Sequence, residues 1–301
     1  MIVVSLLIVT LLFAIGACST VVRAGRHRGR AQALLLAQGL AIGACDYLYG
    51  TWLFLSVYLR VVLAVLLAAL AIRALVKSRS AVARPLPVVA LRMLATVVAL
   101  ALIVLYYAGT EGSAKTLNLH APFRHGRYLV FQGGKGLPTN APHVAARGAI
   151  FAIDFVKLNA FGNRAHSVFS KDLNAYEIYG DTVYAPCDGV VEDTRDDNPD
   201  NIPPSRRRGP HNLNKVLINT GNAYIFLGHF RQGGVLVHTG DRLRAGDPIG
   251  LAGNSGSSLE PHLHIQAHER TGTGLPWYSE QPLLMTFDGK EYLLNEVMEV
   301  R

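Results

Sequence analysis

The hydrophobic pattern of the chain changes near residue 109. Before that point, long apolar runs cover residues 2–22, 31–72 and 87–107. Since about 20 apolar residues cross a bilayer core as a helix, these runs predict about four transmembrane helices within residues 1–108, with a break at 46–50 in the middle run. Residues 31–45 are short for a span and contain Gln38, so an interfacial or re-entrant element is the alternative there.

Beyond residue 109, short apolar runs alternate with Gly, Asp, Asn and Pro. This pattern is typical of strands joined by turns. It predicts a mainly antiparallel β domain over residues 128–301, with 109–127 as a linker. The polar segment 194–214 is predicted to be a mobile loop. The predicted strands are 128–132, 149–156, 182–185, 189–192, 215–219, 223–227, 235–238, 248–252 and 262–267.

Charge separates the same two parts of the chain. Residues 1–108 contain ten Lys or Arg and one acid, a net charge of +9, whereas the remainder contains 19 basic and 20 acidic residues, a net charge of −1. The basic residues cluster at 23–30 and 73–84, and the positive-inside rule places both clusters in the cytoplasm. Four spans then carry the β domain to the outside. Because the excess charge flanks the apolar runs, it argues against nucleic acid as a partner.

A His-x-His pair, His262 and His264, lies in the last predicted strand. Side chains at i and i+2 on a strand point to one face, so both imidazoles can reach a single metal ion. A metal-dependent hydrolase is the first hypothesis from these residues, and an incidental half-exposed pair is the alternative.

The motifs before this pair follow a recognisable order. Residues 180–191 read Gly-Asp-Thr-Val-Tyr-Ala-Pro-Cys-Asp-Gly-Val-Val, residues 224–230 read Tyr-Ile-Phe-Leu-Gly-His-Phe, and 262–264 read His-Leu-His. In this order, over roughly residues 128–270, they resemble the lysostaphin-type (LytM-like) zinc metallopeptidase family.

The resemblance implies a Zn²⁺ site with assigned roles. His264 matches a zinc ligand, while His229 and His262 match catalytic histidines that move protons or stabilise the transition state. Asp154 matches the carboxylate ligand, and an Asp in so apolar a run is costly to leave unpaired. Zinc lowers the pKa of a water towards about 7 and polarises the scissile carbonyl, and three protein ligands leave one coordination position open.

The chain departs from the family pattern at Ile150. The family places a histidine four residues before the Asp, and Ile150 stands there in this sequence. His143, on the preceding loop, is the nearest upstream candidate for the third ligand, and an ordinary loop histidine is the alternative reading. Six further histidines are expected to be structural or exposed: His120, His125, His166, His211, His238 and His268.

The resemblance implies a zinc metalloendopeptidase that cleaves peptide crosslinks of peptidoglycan from a multi-pass anchor in the cell membrane. Its expected partners are peptidoglycan peptides, the lipid bilayer and a cell-wall or division protein. Ile150 keeps open a second hypothesis, a degenerate domain that binds cell-wall peptide or regulates another hydrolase. A third is a membrane scaffold whose β domain assembles partners without a metal.

Overall fold

The computed structural model of the protein describes residues 2–77, 86–112, 114–145, 147–205 and 212–301. The chain divides into two compact units. One is helical and comprises Met1–Tyr107 with Phe161–Asn163, and the other is a β unit comprising Ala108–Ala160 with Arg164–Arg301.

Four long helices form the first unit among the described residues. Each is long and apolar enough to cross a membrane by length and composition. The stretch 31–45, for which an interfacial element was the alternative, lies within a helix of 21 residues that continues to Tyr49. The helices are α1 Ile2–Ala24, α2 Gly29–Tyr49, α3 Tyr58–Val76 and α4 Leu86–Ala108.

Two arginines inside the apolar helices have partners within the helical unit. The Nη1 atom of Arg92 donates to Oε1 of Gln38 over 3.0 Å, and the guanidinium of Arg60 lies 5.1 Å from the ring centroid of Tyr47. Charged groups are costly at membrane depth unless they pair with neighbouring side chains. These contacts therefore give both arginines a structural role in helix packing.

The second unit is built from strands and one short helix, α5 Ala141–Val144. The strands are β1 Thr116–Leu119, β2 Gly126–Gln132, β3 Ile153–Leu158, β4 Thr182–Tyr184, β5 Gly189–Arg195, β6 Lys215–Asn219, β7 Ala223–Gly228, β8 Phe230–Val235, β9 Arg242–Leu243, β10 Pro248–Ala252, β11 Leu263–Glu269, β12 Pro282–Phe287 and β13 Val297–Val300. Short 3₁₀ turns occur at Arg147–Ala149, Leu173–Ala175 and Trp277–Ser279.

Two sheets organise these strands. The large sheet has the order β13-β2-β3-β11-β7-β6-β5-β9, with β12 joined to β11 and β1 joined to β12. The small sheet has the order β4-β10-β8. Only the β1–β12 pair among the described strands is parallel, so the predicted fold class, apolar helices followed by a mainly antiparallel β domain, is confirmed.

The strand predictions succeed where a short apolar run is bounded by turn residues, as in β6 and β10, and fail at irregular places. The predicted strand 149–156 was wrong at its start, because residues 147–149 form a 3₁₀ turn and β3 begins at Ile153. The predicted strand 235–238 was also wrong, since β8 ends at Val235. Strands β1, β9, β12 and β13 were not predicted, and β1 lies within the segment 109–127 that was predicted as a linker.

The core of the β unit lies among the strands of the two sheets. Its fully buried side chains include Phe155, Ile225, Phe230 and Ile265. The segment 194–214 was predicted as a mobile loop, and its residues 206–211 lie outside the described part of the chain. Before them, Asn201 is buried and its Nδ2 donates to the carbonyls of Asn254, Gly256 and Ser258.

Candidate metal centre

Strand register aligns the first two site residues. His264 on β11 lies opposite Asp154 on β3, and on its other side it lies opposite Gly228 on β7. The Nδ1 atom of His264 is 2.9 Å from Oδ1 of Asp154. Both side chains are buried at the centre of the large sheet, where three neighbouring strands hold their positions.

A third side chain reaches the same place from a short helix outside the sheet. α5 positions His143 so that its Nε2 is 3.3 Å from Oδ2 of Asp154, and its ring centroid is 4.9 Å from that of His264. The candidate ligand atoms of His143, Asp154 and His264 all lie within 4.8 Å of one another. The structure thus brings together the three residues predicted as metal ligands.

Hydrogen bonds fix which nitrogen of His143 faces Asp154. Asn140 donates its Nδ2 to the carbonyls of Ile150 and Ala152, at 3.0 Å each, so its Oδ1 must be the acceptor for Nδ1 of His143 at 2.8 Å. That ring nitrogen therefore carries the proton. Nε2 of His143 is thus the nitrogen that faces the Asp154 carboxylate and would supply a lone pair to a metal.

A second chain of hydrogen bonds fixes the ring of His264. The Nδ1 atom of His268 lies 3.0 Å from the Glu280 carbonyl and must donate to it, so its Nε2 accepts from Nε2 of Gln266 at 3.0 Å. Gln266 then presents its Oε1 to Nε2 of His264, at 2.7 Å. His264 donates its Nε2–H to Gln266, so Nδ1 is the nitrogen that faces Asp154 and would supply a lone pair to a metal.

His229 and His262 complete the pocket wall. Nδ1 of His229 donates to the Ser255 carbonyl at 2.7 Å, and Nδ1 of His262 donates to the Glu260 carbonyl at 2.8 Å. Their ring centroids are 4.5 Å apart, and Nε2 of His262 is 3.7 Å from Oδ1 of Asp154. Both rings therefore keep a lone pair on Nε2 that can accept a proton.

His229 sits at the point where the chain passes from the large sheet to the small one. It lies between β7 and β8 with φ of 68°, in the left-handed region that costs a residue other than glycine roughly 1 kcal/mol or more. Ser255 stabilises this corner, because its carbonyl holds the His229 ring and its Oγ donates to the Phe230 carbonyl. Such strain is characteristic of functional positions.

A buried ion pair supports the loop that carries His262. Nε and Nη2 of Arg164 bind the two carboxylate oxygens of Glu260 at 2.8 and 2.7 Å. The two side chains are 3% and 10% exposed. Since the carbonyl of Glu260 holds the His262 ring, this pair fixes the position of a candidate catalytic side chain.

The protonation of the site follows from burial and charge. Burial opposes ionisation of Asp154, but His143 and His262 and the hydrogen bonds it receives hold the pKa of its carboxyl well below the ordinary value. Burial also disfavours charge on His143, yet Asp154 raises the pKa of that ring overall. Burial and the neighbouring His262 and His264 hold the pKa of His229 well below its ordinary value.

The donor set fits a zinc ion. Two imidazole nitrogens and a carboxylate are the ligands typical of catalytic zinc with one position open. In each candidate ligand ring, the nitrogen that faces away from Asp154 donates a hydrogen bond to a side-chain oxygen. For His143 this oxygen belongs to Asn140, and for His264 it belongs to Gln266. Histidines that bind zinc in proteins commonly make such a hydrogen bond with the ring nitrogen that does not bind the metal. His143, Asp154 and His264 are thus the residues that would hold the ion.

Several supporting residues were not predicted from the sequence. Gln266 follows His264 by two residues on β11, so alternation along a strand placed it on the same face. Arg164 carried no such signal, because its partner Glu260 is distant in sequence, and Asn140, three residues before His143, lay in a predicted loop without a periodic pattern. Of the six histidines expected to be structural or exposed, His268 is buried, His211 lies outside the described residues, and His120, His125, His166 and His238 are exposed.

A buried carboxylate with two imidazole ligands, flanked by two further imidazoles, defines a candidate metallohydrolase centre. Residues 171–275 match the family model described as Peptidase family M23, so this part of the chain is an M23 peptidase domain. The match contains His229, His262 and His264, whereas His143 and Asp154 precede it.

Similar proteins were found by sequence and by structure. The peptidoglycan DD-endopeptidase ShyA of Vibrio cholerae is 34% identical over 87 residues, which are 29% of this chain and 17% of that protein. A point mutant of the catalytic domain of the prophage-encoded M23 protein EnpA from Enterococcus faecalis is 18% identical with a TM-score of 0.31, over 54% of this chain and 93% of that one. The lysostaphin catalytic domain from Staphylococcus simulans is 19% identical with a TM-score of 0.28, over 52% and 88%.

Proposed function

We propose that the protein is a membrane-anchored zinc metalloendopeptidase that cleaves peptide crosslinks of peptidoglycan outside the cytoplasm. The observation that carries this proposal is the fixed orientation of four histidine rings around Asp154. Each ring donates one N–H to an oxygen at 2.7 or 2.8 Å and leaves its other nitrogen free for the site. Such preorganised lone pairs suit metal binding and proton transfer.

Zinc held by His143, Asp154 and His264 would supply a Lewis acid that polarises a peptide carbonyl and acidifies water. The protein's own part is to accept and deliver protons. His229, whose pKa is depressed, is neutral at pH 7 and can take a proton at Nε2. Nε2 of His262, beside it, can donate a hydrogen bond to an oxygen that gains charge, or pass a proton to the leaving amine, once that nitrogen has taken up a proton.

The position of His143 bears on the degenerate-domain alternative. Ile150 cannot ligate a metal, but His143 supplies an imidazole nitrogen within reach of Asp154 and His264. This supports catalysis over a domain that only binds cell-wall peptide. The peptidoglycan substrate is inferred from the M23 match and from the name of the ShyA relative.

The anchor and its orientation are part of the same proposal. Four helices of sufficient length and apolarity, with basic clusters at residues 23–30 and 73–84, support four spans with both clusters in the cytoplasm and the β unit outside. An extracytoplasmic β unit is also where a peptidoglycan substrate is accessible.

The test separates metal binding from chemistry. We expect the full chain in detergent to bind about one zinc, His264→Ala to lose most of it, and His229→Ala and His262→Ala to keep it while losing release of peptides from purified peptidoglycan. Zinc is measured by elemental analysis and products by mass spectrometry, with His166→Ala as the matched exposed-histidine control. Unchanged zinc in His264→Ala would overturn the ligand assignment. A parent protein without zinc that still binds muropeptides would establish the degenerate domain.

A further inference from the structure

A second site lies in the helical unit, far in sequence from the histidine cluster. A cavity of about 300 Å³ opens between α1 and α3, near the C-terminal ends of both helices. Val22 and Leu70 contribute apolar surface to it, and Arg26, Arg73 and Lys77 contribute three cations. Val22 and Arg73 lie in the last turns of α1 and α3, and Arg26 and Lys77 lie in the turns that follow the two helices.

Close packing of the two helices forms the floor of this cavity. A Cβ added to Gly25 would lie 3.2 Å from Cα of Ala74, so the absence of a side chain at residue 25 lets the two backbones approach. The long basic side chains on either side of this contact extend past it and are exposed. The cavity therefore has an apolar base and a cationic rim.

Within the described residues of the helical unit, no acidic side chain balances the charge on the rim. Asp46 is the single acidic residue in the first 108, and it lies about 25 Å along α2 from Gly29, the residue that begins α2 close in sequence to the cavity. Charges beyond about 8 Å are largely screened at physiological ionic strength. The C-termini of α1 and α3 contribute about −0.5 each, so the net charge at the rim stays near +2.

The shape and position of the cavity select an amphiphilic anion. Arginine binds phosphate oxygens in a bidentate manner, and lysine adds a point charge. On the helix surface next to the rim, Leu75 and Val76 are 62% and 79% exposed, which provides an apolar path for an acyl chain. Basic cavities between helices at the cytoplasmic side of a membrane suit lipid headgroups.

We propose that the cavity between α1 and α3 binds the headgroup of an anionic phospholipid, with Arg26, Arg73 and Lys77 contacting its phosphate. The site is independent of hydrolysis and rests on the membrane insertion of the helices, which extraction of the membranes with alkaline carbonate measures separately. A bound lipid would join α1 to α3 at the cytoplasmic face.

The experiment compares two charge-matched triple variants of the full chain in neutral detergent. The rim variant, Arg26→Gln/Arg73→Gln/Lys77→Gln, removes the three positive charges of the rim. The control variant, Arg23→Gln/Arg28→Gln/Arg30→Gln, removes the same charge from residues that do not line the cavity. Native mass spectrometry counts bound dioleoylphosphatidylglycerol, dioleoylphosphatidylcholine or inorganic phosphate. We expect one phosphatidylglycerol per chain and roughly 100-fold weaker binding in the rim variant, since each basic residue contributes about fivefold.

The control variant should bind phosphatidylglycerol within a few-fold of the parent. Equal loss in both triple variants, or equal retention of phosphatidylcholine by the parent, would overturn the proposal. Inorganic phosphate that displaces phosphatidylglycerol at equal concentration would assign a free-anion site instead. Should the rim triple unfold in lipid-free detergent, Arg73→Gln alone provides the test, with about a fivefold expected loss.

Discussion

His264 and Gln266, two residues apart on β11, are hydrogen-bonded through Nε2 and Oε1 at 2.7 Å. The bond turns Nδ1 of His264 towards Asp154, and Gln266 is itself oriented by His268. A side chain outside the candidate ligand set thus determines which nitrogen of His264 is available to a metal.

We expect Gln266→Leu to weaken zinc binding by about 10–100-fold, the usual effect of losing an outer partner of a metal-bound histidine. Gln266→Glu keeps an oxygen for Nε2 of His264 and should recover most of the affinity. Competition with a chromogenic chelator measures both variants without an activity assay. Equal affinity of Gln266→Leu and the parent would show that the ring is held by packing alone.

His143 is the proposed third ligand, and its removal should be as severe as removal of Asp154. His143→Ala should weaken zinc binding by more than roughly 100-fold, the largest loss usual when a group hydrogen-bonded to a metal ligand is removed. Measured by chelator competition, it should match Asp154→Ala, with His166→Ala unchanged. A fully metallated and active His143→Ala protein would contradict the assignment.

A histidine at Ile150 is not expected to rescue that variant. Even spacing between Ile150 and Asp154 suggested a shared strand face, but β3 begins only at Ile153, and Ile150 lies in the turn before it. Its carbonyl is bound by Nδ2 of Asn140. Zinc affinity of Ile150→His/His143→Ala should therefore stay at the level of His143→Ala.

The Arg164–Glu260 pair should contribute strongly to stability when only one partner is lost. Arg164→Met leaves a buried carboxylate without its partner, at a cost of about 3–5 kcal/mol in the free energy of unfolding. Arg164→Met/Glu260→Met should cost less than Arg164→Met alone, because no unpaired charge remains. Urea midpoints of the full chain, measured by proteolysis, test this comparison. A double variant less stable than Arg164→Met would contradict it.

His268 should make stability fall in mild acid. Its burial lowers the pKa of the ring below the ordinary value of 6.5. Below this ordinary pKa the unfolded chain binds a proton that the folded ring resists, so the free energy of unfolding decreases as pH falls, by up to about 1.4 kcal/mol per pH unit. His268→Gln should flatten this dependence below about pH 6.5, whereas His166→Gln should not. Measurements with chelator present remove the contribution of zinc release.

Topology can be read from single cysteines. Phe169→Cys, at a position 62% exposed in the β unit, should react with a membrane-impermeant maleimide in intact cells, while Arg30→Cys should react only after lysis. The native Cys187 gives little background, because burial raises the pKa of its thiol to about 12 and leaves it protonated. Labelling of Phe169→Cys only after lysis would reject an extracytoplasmic β unit.

Local periodicity determined the larger features of the protein. Uninterrupted apolar runs predicted four long helices because a helix that faces lipid needs no polar face. Short apolar runs bounded by turn residues predicted strands such as β6 and β10, and the i, i+2 spacing in the last predicted strand, 262–267, placed His262 and His264 on one face. Strands β1, β12 and β13 were not predicted from the sequence. They lie at or near the edges of the large sheet or off its main order, and their formation depends on partners far away in sequence.

Only the tertiary structure decided which distant groups meet. The proximity of His143 to Asp154 depends on how α5 packs beside β3, and the orientation of both candidate ligand rings depends on Asn140 and Gln266. The cationic cavity likewise depends on the close approach of Gly25, just after α1, to Ala74 on α3. The physical reason is that periodicity encodes which face a residue occupies, whereas register, close packing and hydrogen-bond direction between elements are set by the folded chain as a whole.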